Sequence, residues 1–91
     1  MLERFRRKND TQITFVLPSD QPCGNVSVVG DFNDWQPGAH PLVEREDGIR
    51  AVTLHLPSEQ CYEFRYLAAD NYWFDDEHAD AHDGQNSILH T

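Results

Sequence analysis

The chain has 91 residues, 38% of them hydrophobic, and a formal net charge of −9. That length holds one domain with a modest core and excludes a catalytic barrel, and the aromatic content argues for a folded rather than a disordered chain. The charge is uneven: residues 1–8 carry Arg4, Arg6, Arg7 and Lys8 against Glu3, a balance of +3, while residues 9–91 carry three cations against fifteen acids, a balance of −12.

An acidic body repels phosphate, so nucleic acid is set aside as a partner. The opening Met1-Leu2-Glu3-Arg4-Phe5-Arg6-Arg7 has no apolar core of the kind a secretory signal needs. Residues 1–10 therefore read as a basic leader, either a solvated tail or a single helical turn, ahead of a domain over residues 11–91. No run approaches membrane-spanning length, so no membrane partner is expected and a cytoplasmic location is the default. Cys23 and Cys61 show neither a Cys-x-x-Cys pattern nor a His-spaced one, and are expected as reduced, partly buried thiols.

Thr11 to Leu17 alternates, with Ile13, Phe15 and Leu17 on one side, and predicts a half-buried strand ended by Pro18. Ser19 to Asn25 is a loop by its punctuation. Val26-Ser27-Val28-Val29 is a β-branched run that predicts a second strand. Gly30 breaks it, and Asp31-Phe32-Asn33-Asp34 follow as a turn whose short polar side chains bond their own backbone. Trp35 closes that turn. Its ring either folds back to plug the end of a sandwich or forms a platform for a flat, partly apolar ligand.

Leu42–Glu46 and Ile49–Leu56 meet across Asp47-Gly48, a hairpin signal because both turn positions call for positive φ. Tyr62 to Leu67 is the next strand, with Tyr62, Phe64 and Tyr66 on one face as core and Glu63 and Arg65 on the other. Asp70-Asn71 turns the chain into Tyr72-Trp73-Phe74. Asp75 to Gly84 reads as a solvated acidic loop, and Asn86 to His90 as a closing strand. About seven short antiparallel strands with no helical period predict an all-β, immunoglobulin-like β-sandwich.

Two indoles, Trp35 and Trp73, each lie just past a polar turn, and one cation, Arg65, and one amide, Asn86, complete a kit for sugars. Pyranose rings pack their C–H faces on an indole plane, and a guanidinium or carboxamide can bond the hydroxyl rim. The bland alternatives are a structural amide for Asn86 and, for Arg65, a surface cation paired with Glu63 or Asp75. Phe32 reads as core.

The order Val28-Val29-Gly30-Asp31-Phe32-Asn33-Asp34-Trp35, Pro41-Leu42 before Asp47-Gly48, Tyr62-Glu63-Phe64-Arg65-Tyr66-Leu67, Trp73 and Asn86-Ser87-Ile88-Leu89 resembles the family-48 carbohydrate-binding modules, or isoamylase N-terminal-like domains. The resemblance runs from about Thr11 to His90. It implies Trp35 and Trp73 as stacking platforms, with Arg65 and Asn86 bonding sugar hydroxyls. It implies an α-1,4-glucan such as glycogen or starch as ligand, no cofactor, and a glycogen-metabolising enzyme or other protein as a further partner. This chain departs from the kinase-associated members in carrying His82 nearest the loop position where they have Leu, and in one extra residue before Trp73.

Two rival chemistries are weaker. His78 and His82 with the acids of residues 75–83 could hold a metal, but their spacing lacks the order of a calcium loop. Paired carboxylates could suggest glycoside hydrolysis, but that chemistry needs a deep cleft that a chain of this length does not build, so the protein is expected not to be an enzyme. A protein-interaction or regulatory scaffold that kept the sandwich and lost the sugar is the main alternative.

Overall fold

A computed structural model describes residues 2–19, 24–45, 48–76, 79–84 and 86–91. Nine strands among the described residues form two antiparallel sheets. The first has the spatial order β1 (Leu2–Arg6), β2 (Asp10–Pro18), β5 (Ile49–Pro57), β4 (Val43–Glu44). The second has the order β3 (Val26–Gly30), β6 (Cys61–Ala68), β9 (Asn86–His90), β8 (Ala81–Asp83), with β7 (Tyr72–Phe74) paired to β6 as well. The period of two in each strand turns one row of side chains inward. Ile13, Phe15 and Leu17 of β2 meet Val26, Val28, Phe64, Tyr66, Ala68 and Leu89 of the second sheet in one buried cluster. Phe15 presents its ring edge-on to Phe64 at 5.3 Å and to Tyr66 at 6.4 Å, the geometry that aromatic quadrupoles favour. The all-β sandwich read from the alternation is the architecture found.

The seven strands expected are all present, and β1 and β8 are additional. The leader is thus neither a tail nor a helical turn. Its residues lack apolar alternation, but their backbone pairs antiparallel with β2 from Leu2 opposite Phe15 to Arg6 opposite Thr11. Leu2 packs against the core, Arg4 bonds Asp80 at 2.6 Å, and the Nε–H of Arg6 donates to the Thr91 main-chain oxygen at 3.2 Å. The alternate basic side chains therefore tie this edge strand to the opposite sheet.

The acidic loop is also only partly a loop. Ala81–Asp83 pairs with β9, and Asp76 is 2% exposed. Asp76 accepts a hydrogen bond from the Tyr66 hydroxyl at 2.6 Å and donates its N–H to Ser87 Oγ at 3.0 Å. The ring of His82 lies 2.8 Å from the Asp76 carbonyl oxygen. A carboxylate this buried is tolerable because it is hydrogen-bonded. His78 lies outside the described residues, among which no group of three or more His, Cys, Asp and Glu could hold a metal ion. Cys61 is free and exposed rather than partly buried, with its Sγ 3.0 Å from His90 Nδ1, and Cys23 lies outside the described residues. Gly48 has the positive φ its turn demands, at 79°, and Asp47 lies outside the described residues.

The Tyr66–Asp76 bond makes stability sensitive to high pH. Burial, then the charge of Asp76 and the hydrogen bond to it, hold the Tyr66 phenol well above its ordinary range. The phenol stays neutral in the fold while an unfolded chain ionises it near pH ~10. Its contribution is therefore complete below pH ~10 and is lost as pH rises toward the folded value. Urea unfolding at stepped alkaline pH should show stability falling above pH ~10, and Tyr66→Phe should flatten that fall. Absorbance at ~295 nm should show one tyrosine that ionises only with unfolding.

Candidate carbohydrate-binding site

The site starts where β3 stops. Gly30 is extended and ends the pairing with β6 opposite Phe64. A 3-10 turn over Asp31–Asn33 follows. Asn33 staples it: Oδ1 accepts the Gly30 N–H at 3.0 Å, Nδ2 donates to the Val28 carbonyl at 3.1 Å, and the same nitrogen lies 2.9 Å from His40 Nδ1. Asp34 and Trp35 then take left-handed backbone, with φ of 55° and 57°. For a bulky residue such as Trp35 that conformation is a real cost, and strain of this kind gathers at ligand-clamping positions. The Trp35 N–H closes the turn on the Gly30 carbonyl at 3.0 Å. Phe32 leaves the turn in the other direction and packs on the core, 5.7 Å from Phe15.

The turn delivers the Trp35 ring to the outer face of the second sheet. There β6 turns Glu63 and Arg65 outward, since Phe64 and Tyr66 are buried between them. Trp73 stands opposite Leu67 on the same outward row, and Asn86 opens β9. Both indoles are half-buried, and neither belongs to the buried core. Trp35, Arg65, Trp73 and Asn86 line one open pocket of about 340 Å³. All four residues singled out in the sequence are thereby brought together, and His82 is not among those lining the pocket.

Each of the four is also held by a neighbour. The indole N–H of Trp35 donates to Asp31 Oδ1 at 2.9 Å, and Asp31 Oδ2 accepts the Glu63 backbone N–H at 2.9 Å. Asn86 Nδ2 donates to Glu63 Oε1 at 3.2 Å. The Arg65 Nε–H bonds Asp75 Oδ1 at 3.3 Å, and its guanidinium carbon lies 5.9 Å from the Trp73 ring centroid. The ion pair weighed for Arg65 therefore exists, with Asp75 as its acid. It coexists with the place in the pocket, because the Nε bond uses one of five guanidinium N–H donors. Asp31 and Glu63 carried no signal in the sequence as anchors of Trp35 and Asn86. Asp31 reads there as an ordinary turn former, and its strand partner lies 32 residues away.

Chemically, the pocket offers two apolar ring surfaces with a cation and an amide at their margins. That set can hold a flat, hydroxyl-rimmed ligand through ring faces and hydrogen bonds. A sequence profile of the family described as carbohydrate-binding module 48 (isoamylase N-terminal domain) matches residues 6–83. Among curated relatives, the 1,4-alpha-glucan branching enzyme GlgB 2 of Xanthomonas campestris pv. campestris is 39% identical over 46 residues, 50% of this chain and 6% of that protein. The 1,4-alpha-glucan branching enzyme GlgB of Aquifex aeolicus is 42% identical over 40 residues, 44% of this chain and 6% of that protein. That of Picrophilus torridus is 39% identical over 49 residues, 52% of this chain and 7% of that protein. The matched region is thus a small part of each of these enzymes.

Proposed function

Because the chain belongs to the carbohydrate-binding module 48 (isoamylase N-terminal domain) family, we propose that it is a non-catalytic module that binds α-1,4-glucan chains. The observation that carries this reading is that Trp35, Arg65, Trp73 and Asn86 line one open pocket together. Trp35 and Trp73 receive the apolar faces of successive glucose rings, and Arg65 and Asn86 bond hydroxyls at their margins. The left-handed backbone at Trp35 adds support, because the fold keeps a costly conformation at the residue that presents the ring. The relatives named above, 1,4-alpha-glucan branching enzymes, point to the same polymer class.

The pocket is open, so the expected affinity is in the micromolar to millimolar range. Weak binding of this kind is useful on a polymer. It holds an attached or associated enzyme near its substrate by raising effective concentration, with no catalytic contact of its own.

Titration with maltoheptaose while following intrinsic tryptophan fluorescence tests the reading. Both indoles of the chain line the pocket, so saturable quenching or a blue shift is the expected result. A flat response at millimolar sugar from a domain with an intact melting transition would favour a protein-interaction scaffold instead.

A further inference from the structure

We propose that Asp31 is the positioning residue of the site, fastening the Trp35 indole to strand β6 rather than to its own loop; the inference rests on the glucan reading for its functional half. Four residues separate Asp31 from Trp35, and the carboxylate reaches the indole N–H at 2.9 Å. Its other oxygen accepts the backbone N–H of Glu63 at 2.9 Å. The ladder between β3 and β6 ends one residue away, with Gly30 opposite Phe64. The Asp31 side chain therefore extends the ladder by one acceptor and carries the ring with it. Charge-assisted bonds of this type are shorter and stronger than neutral ones.

Two consequences follow for the pocket. The indole N–H is taken up by Asp31, so the ring offers a ligand its face rather than its donor. The strand residue that receives Asp31 also receives Asn86, whose Nδ2 bonds Glu63 Oε1 at 3.2 Å. The spacing between platform and amide is thus set at one point on β6. Asp31 is indispensable in kind as well as in place. It accepts two N–H donors, one on each oxygen, and an asparagine has only one such oxygen.

The test is a double-mutant cycle read by NMR titration with β-cyclodextrin, in which millimolar affinities remain measurable. Asp31→Asn should weaken binding by about tenfold, the loss of one charge-assisted hydrogen bond. Trp35→Phe keeps a flat ring and removes the N–H, and in that background Asp31→Asn should change affinity by less than about twofold. An equal loss in both backgrounds, or no loss in the Trp35 background, overturns the proposal, because a merely structural aspartate would act alike in the two. Hydrogen exchange of the Trp35 indole N–H gives a readout that needs no sugar. It should be slow in the wild type and fast in Asp31→Asn, and an unchanged rate overturns the anchor. A wild-type domain that ignores β-cyclodextrin while its indole exchange responds to Asp31→Asn overturns the glucan reading and supports the anchor, so the two failures are separable.

Discussion

Replacing Trp35 by alanine should weaken glucan binding about 30-fold and leave the melting transition nearly in place. Covering about 80 Å² of indole face at about 25 cal/mol/Å² is worth about 2 kcal/mol, about 30-fold in affinity. For a site that begins in the micromolar to millimolar range, that loss moves the dissociation constant to between about tens of micromolar and tens of millimolar. Stability should move little because Trp35 is half-buried and lies outside the core cluster. Alanine inherits the left-handed backbone but carries far less bulk into it. Affinity electrophoresis through glycogen, paired with a thermal melt by circular dichroism, separates the two effects. Unchanged retardation in glycogen would sink the platform role. A collapsed melt would show the ring to be a plug for the sandwich.

The second large effect concerns Gly30 and acts on stability. Its backbone is extended, a conformation open to any residue, so the glycine is needed for room and not for φ. A Cβ built there would lie 2.5 Å from the Glu63 carbonyl oxygen, 2.8 Å from Phe64 Cβ and 3.0 Å from the Phe32 ring. The first of these is backbone held in the β6 ladder, and it cannot give way without moving the strand. Gly30→Ala should therefore cost about 2–3 kcal/mol, at the upper end of overpacking in a well-filled core. On a domain stability of order 5–15 kcal/mol this is a large share, and urea unfolding reads it as a lower midpoint at constant slope. A change under about 0.5 kcal/mol would mean that the contact relaxes, as surface positions do. The same variant should weaken the site, because β6 carries Glu63 and Arg65 on its outward row immediately beside the clash.

What the sequence made legible follows from where the physics is local. The strands of the core announce themselves because inward positions alternate with outward ones, as in Ile13, Phe15 and Leu17 or Phe64 and Tyr66. Strand β1 does not, because beyond Leu2 its residues are charged or exposed. Phe5 is 62% exposed, and the strand is held by backbone pairing and by Arg4 and Arg6 reaching across the sandwich. Asp76 shows the same limit. Within an acidic run it looks solvated, and the hydroxyl that buries it belongs to Tyr66, ten residues earlier on another strand. The four pocket residues could be picked out because indoles after polar turns are unusual and because their order resembles a family. Asp75 could be named as a candidate acid for Arg65, but the anchoring role of Asp31 could not, since an aspartate that shapes a turn and one that orients a ring are the same letter.

The two aromatic ends of the pocket differ in how they are held. The Trp35 ring is tied through Asp31 to a main-chain N–H of a central strand. The Trp73 ring leans on Arg65, whose ion pair with Asp75 leaves side chains 26% and 35% exposed. Pairs so open to solvent contribute about 0–1 kcal/mol and weaken as ionic strength rises. One ring is accordingly tied to main chain and the other rests on a side chain. On the proposed glucan reading, the first ring would be the fixed contact and the second the one that adjusts to the chain's curvature.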